Sequence, residues 1–136
     1  MSFGNTTETD VLAKLFKNTA LPFDAITDLY LSLHTADPGE AGSQTTSEAT
    51  YGSYARIAVV RSAVGWTVAG ATAQNAALVQ FVTASSGSEV ITHVAIGTAV
   101  SGAGQILVKG ALAASRTIST GIQPQFSAGQ LVFTLD

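Results

Sequence analysis

The sequence predicts an all-β fold, a β-sandwich preceded by one short helix. Three observations carry this reading. Short stretches alternate apolar and polar side chains, turn residues separate them at close intervals, and one early segment alone has helical periodicity. No fixed internal repeat is visible, which argues against a β-helix. A long connection over residues 36–52 suits a Greek-key or jelly-roll crossing better than a meander.

The helix comes first, over residues 6–17. Thr6 or Thr7 suits its cap, Glu8 and Asp10 its positive end, and Lys14 and Lys17 its negative end. Val11, Leu12, Leu15 and Phe16 form one apolar stripe, and Asn18 ends the helix. The stripe has two possible uses: folding onto its own sheet, or docking as an arm on another subunit. The expected division is therefore an N-terminal helix or arm over 1–20 and a sandwich over 21–136.

After Pro22 the period changes to two. Leu29, Leu31 and Leu33 alternate with Tyr30, Ser32 and His34, as in a half-buried strand. Asp37-Pro38-Gly39-Glu40 makes a turn. The rest of 36–52 lacks periodicity, so it is expected at an edge facing solvent or a partner, ordered by contact and not by its own core. Strands follow at 54–61, 65–68, 71–74, 78–83, 90–97, 105–112, 121–126 and 130–135. Ala69-Gly70 joins two of them as a hairpin. The expected interior holds Leu29, Leu31, Leu33, Ile57, Val59, Phe81, Val94, Ile96, Leu107 and Phe133.

Composition points to a protein that works by packing. Ala, Thr, Ser and Gly make up 65 of the 136 residues, and charged residues only 11%, against about 25% in an ordinary soluble domain. Few charges remain to cover the surface, which favours a protein packed against partners. Six basic residues and a net charge of −3 provide no stripe to neutralise phosphates, so nucleic acid is excluded as a partner. No apolar run reaches the roughly 20 residues of a membrane span, and the N-terminus lacks a secretory pattern, so no membrane is expected. A soluble chain made in the cytoplasm follows.

Chemistry is hard to place. Cysteine is absent, which rules out thiolate metal sites and disulfides. His34 and His93 sit in strands, on the faces opposite the apolar residues, and no serine lies in a Gly-x-Ser-x-Gly elbow. The nine acidic residues show neither a Ca²⁺-loop spacing nor a pair for glycoside hydrolysis. Gly102-Ala103-Gly104 is a turn, too short to cradle phosphate. Trp66 is read as a core residue. No catalytic residue, metal or cofactor is expected. The candidates for partner contact are the stripe Val11, Leu12, Leu15 and Phe16, with Asp37 and Glu40 at the turn and Tyr51 and Tyr54 bordering the long loop.

The phrase over residues 29–42, Leu-Tyr-Leu-Ser-Leu-His-Thr-Ala-Asp-Pro-Gly-Glu-Ala-Gly, resembles the opening of a family of small structural proteins of tailed phages. Tyr54-Ala55-Arg56, Gly65-Trp66-Thr67-Val68, Thr92-His93-Val94-Ala95-Ile96-Gly97 and Ser101-Gly102-Ala103-Gly104 continue the likeness in order. It runs from residue 29 to 136. Members often carry the label of tail-fibre protein, and those understood structurally resemble jelly-roll capsid cement proteins. The resemblance implies a virion protein on the capsid exterior that decorates and cements it. Its partners would be the major capsid protein and other copies of itself, as dimer or trimer. The alternative is a tail-fibre or tail-tip module that binds a host receptor.

Overall fold

The structure, a computed structural model, describes residues 1–135. A short strand, β1 (Ser2–Phe3), precedes helix α1 (Asn5–Lys17). The β-strands that follow are β2 (Asp28–His34), β3 (Ile57–Val60), β4 (Trp66–Ala69), β5 (Thr72–Asn75), β6 (Val79–Gln80), β7 (Ser88–Gly97), β8 (Ile106–Ser119), β9 (Gln125–Phe126) and β10 (Val132–Thr134).

The strands form a five-stranded sheet in the order β1-β8-β7-β2-β3, a three-stranded sheet β10-β5-β4, and a β6-β9 pair. All pairings are antiparallel. The chain leaves the large sheet after β3, builds β4 to β6 in the second layer, and returns with β7 beside β2. The connection from β3 to β7 thus crosses between layers, and the sheet is not a simple meander. The β4–β5 hairpin turns at Gly70, whose φ of +59° is left-handed, as the sequence predicts for Ala69-Gly70.

The core lies between the two layers. Leu31, Leu33, Ile91, Val94, Ile96 and Ile118 of the large sheet meet Val79, Phe81 and Leu131 of the second layer, with Trp66, Phe126 and Phe133 at the margin. Each fully buried side chain of this size contributes about 1.5–3 kcal/mol. Six of the ten expected interior residues are buried: Leu31, Leu33, Phe81, Val94, Ile96 and Leu107. Leu29, Ile57, Val59 and Phe133 are partly buried and pack against the cluster.

Strand lengths differ from the sequence pattern. The expected strands at 54–61 and 78–83 shorten to four and two residues. β8 continues seven residues past the expected end, to Ser119. Opposite Thr92 of β7, β8 carries four residues, Leu112 to Ser115, because Ile91 pairs with Arg116 and His93 with Ala111. This bulge hid the strand's second half from a period-two pattern.

The largest correction concerns β2 and the segment 36–52. Leu31 stands opposite Ile96 and Leu33 opposite Val94 on the core face, as expected. The other row, however, is also covered: Ser32 and His34 are fully buried. The segment expected to be open folds over that row. Its Gln44 is completely buried, donating from Nε2 to the Tyr30 carbonyl (3.1 Å) and accepting at Oε1 from the Ala99 amide (3.0 Å). Gly97 makes room for it, since a Cβ there would collide with the Gln44 side chain and lie 2.6 Å from the Gln105 carbonyl oxygen. Residues 47–49 then bond along the end of β2 (Thr35 N–H to Ser47 O, 2.9 Å; Ala49 N–H to Leu33 O, 2.8 Å). The segment is held by its own subunit through Gln44 and residues 47–49, while Ala36, Asp37, Glu40, Ala41, Thr45 to Ser47 and Thr50 stay exposed.

Candidate functional site

Beneath the folded-over segment lies a buried polar cluster. Arg56 and Glu48 form a bidentate pair, Nε to Oε1 and Nη2 to Oε2, both 2.7 Å. The guanidinium also donates to the carbonyls of Ala99 (2.9 Å) and Gly102 (2.8 Å), tying two loops to the start of β3. Tyr54 Oη donates to Glu48 (3.0 Å) and accepts the Leu33 amide (3.0 Å). Burial pushes the Tyr54 hydroxyl far above its ordinary pKa and that of Tyr51 up to about 12. Tyr51 is buried against the core, meeting Tyr54 edge to face. Burial takes Tyr51 out of reach of a partner, which corrects its expected role in contact; Tyr54 is half-buried, and its hydroxyl and ring are engaged within the fold.

His34 lies in the same region. Its Nδ1 is 2.8 Å from the Thr46 carbonyl, which can only accept, so Nδ1 carries the proton and Nε2 accepts from Ser32 Oγ at 2.8 Å. Ser32 and His34 thus have the spacing of a nucleophile and its base. Both are sealed from solvent, though, and a carbonyl occupies the position of an orienting acid, so no substrate reaches them. The pair locks the segment 36–52 in place.

Desolvation holds the His34 pKa below its ordinary 6.5; the Thr46 carbonyl and Glu48 oppose this and Arg56 and His93 add to it. A buried base with a lowered pKa stabilises fully above the unfolded value and loses that contribution as pH falls through the folded one. Urea midpoints should therefore drop below pH 6.5 more steeply in the native chain than in a His34→Gln variant. Equal pH profiles would show that His34 contributes nothing to acid sensitivity.

The remaining candidates are dispersed. Asp37 is tied to β8 by Lys109 (2.9 Å), whose bond lowers its pKa. Glu40 is exposed, and its carbonyl accepts the Asn5 amide at the start of α1 (2.9 Å). Among the described residues, no three His, Asp or Glu side chains converge on a point that could hold a metal. A shallow hollow of about 380 Å³ beside Asp28 and Tyr30, and a cleft of about 440 Å³ between β8 and residues 122–131, contain no paired titratable groups. Three of the six cations are spent in ion pairs with Glu48, Asp24 and Asp37.

Helix α1 is the feature that faces outward. It starts one residue earlier than expected, after Gly4, and no side chain caps it. Thr7 is buried in the helix, donating to the Ile106 carbonyl (2.9 Å) and accepting from Gln105 Nε2 (3.0 Å), which also reaches Asp10 (3.0 Å). At about 100° per residue, Thr7 and Asp10 lie roughly 140–160° round the helix from Leu12. Leu12, Leu15 and Phe16 share an arc of about 100° on the opposite side. They are 56%, 70% and 81% exposed, and Val11 sits half-buried at the boundary. The helix folds onto its own sheet, but by its polar side. The N-terminal segment is rooted by β1 on β8 and by Thr7, and the apolar stripe is left free. Asn18, at φ +52°, ends it as the sequence predicts.

A sandwich with few charges, no accessible reactive cluster among the described residues and the apolar stripe of its helix turned to solvent has the make of a structural protein that works by assembly. The family model described as Podophage GP4 fiber I protein gp80 matches residues 2–134, nearly the whole chain. The chain belongs to this family and is a structural protein of a phage virion. No curated protein matches it.

Proposed function

We propose that the chain is a structural subunit of a podophage tail fibre, built into it through the outward face of α1. The observation that carries this is the inverted seating of the helix. Polar side chains anchor it, while three large apolar ones face water, an arrangement that costs solubility unless another surface covers it. The family description supports the fibre over the capsid cement that the phrase at residues 29–42 suggested. The same face could serve a capsid lattice, with the major capsid protein as its cover, so the location in the particle decides between them.

Gold labelling of an epitope-tagged chain in purified virions should mark the tail. Labelling spread over the head, at a copy number near that of the major capsid protein, would establish the cement role instead. The docking face is tested by the double variant Leu15→Asp/Phe16→Asp. Both side chains are exposed, so stability should change by no more than about 0.5 kcal/mol per site. The folded variant should be missing from particles. Full incorporation would refute α1 as the attachment face.

A further inference from the structure

We infer that the cover of α1 is the α1 of a second copy, packed antiparallel across a two-fold axis. This rests on the reading of the outward face as a docking surface and names its occupant.

The charges of the helix select the partner. Its first turn carries Glu8 and its last turn Lys14 and Lys17. The three ion pairs of the described residues involve none of them. Glu8 lies about 40° round the helix from Leu12, on the same side as Leu15. Lys17 follows Phe16, and its flexible stem can reach round the helix to the rim of the apolar face. An antiparallel pair brings the acidic first turn of each helix against the basic last turn of the other. It also opposes the two helix dipoles, positive end to negative end. A parallel pair would place like turns side by side. A wholly acidic or wholly basic partner would match one end of the face and repel the other. The face is therefore complementary to itself in one orientation, and a two-fold contact uses the same patch on both copies.

The second layer also exposes apolar side chains, including Val68 at 73%. That region carries no charge pattern to choose a partner, so it serves as the control.

The chain has no cysteine, so single-cysteine variants can map the contact cleanly. With Glu8 facing Lys17 the two-fold axis passes near Leu12, so oxidised Leu12→Cys should run as a covalent dimer on a non-reducing gel, and Val68→Cys should stay monomeric under the same conditions. Sedimentation velocity of the full chain should give a dimer mass that rises with concentration. Glu8→Lys and Lys17→Glu should each weaken the dimer several-fold, and combining them should restore it. A monomer at every concentration, a trimer mass, or a double variant no tighter than the single ones overturns the self-contact. If self-association is absent and Leu15→Asp/Phe16→Asp is still lost from particles, the docking face stands with a different virion protein as its cover. If that variant is incorporated, the docking reading falls too.

Discussion

Arg56→Ala should lower the folding free energy by about 3–5 kcal/mol, because it leaves Glu48 as a buried carboxylate without its cation. The loss extends beyond one pair. Two loop carbonyls lose their donor, and Tyr54 shares its acceptor with an uncompensated charge. For a domain of this size the melting temperature should fall by about 10–20 °C. Arg56→Lys should recover little, since an ammonium cannot reproduce the two parallel bonds of the guanidinium fork. Asp24→Ala, which breaks a 3.9 Å ion pair with Arg61 that is exposed on both sides, should cost no more than about 1 kcal/mol. Thermal melts of the three variants separate the cases. An Arg56→Ala loss no larger than that of Asp24→Ala would mean that the buried fork is not what ties the loops down.

Phe81→Ala is expected to cost a similar amount, about 3–5 kcal/mol, through lost burial and the cavity left behind. Phe81 is 1% exposed and lies between Tyr54, stacked at 6.3 Å, and Phe126, edge to face at 6.4 Å. It follows β6 directly and joins the small β6-β9 pair to the centre of the large sheet. Small domains have only about 5–15 kcal/mol of stability in total. Either substitution should therefore move a large share of the chain towards the unfolded state at 37 °C. Urea denaturation of soluble protein measures both, and a Phe81→Ala change below about 1 kcal/mol would show that the second layer collapses to refill the space.

The strands with plain alternation were legible. Leu31, Leu33, Val94 and Ile96 appear inside because period two assigns them to one face and the opposite strands agree in register. Alternation says nothing about whether the second face is covered, which is why Ser32 and His34 were placed outside. Their cover is a segment of polar residues that buries hydrogen-bonding groups, Gln44 above all, and so leaves no hydrophobic pattern to detect. The same blindness hides the burial of Tyr51, whose position beside a loop suggests exposure. For α1 the stripe was visible and its direction was not. One buried hydroxyl, that of Thr7, and one amide, that of Gln105, decide which side meets the sheet, and the two lie 98 positions apart in the chain. Family membership came through whole phrases and not through any reactive group.

The bulge in β8 matters for how such a protein survives its own synthesis. Beyond Lys109 no strand among the described residues pairs with the side of β8 that faces away from β7. A straight, nearly uncharged edge of that length would recruit strands from other newly made chains when a virion protein accumulates to high concentration. Many proteins repel such recruits with lysines along the edge; here Arg116 is the single charge between Gly110 and Ser119. The four residues that β8 sets against one of β7 bend this edge out of line. Backbone shape thus takes over the guarding that charge performs elsewhere, and the small side chains can stay uncharged without the sheet growing into a fibril.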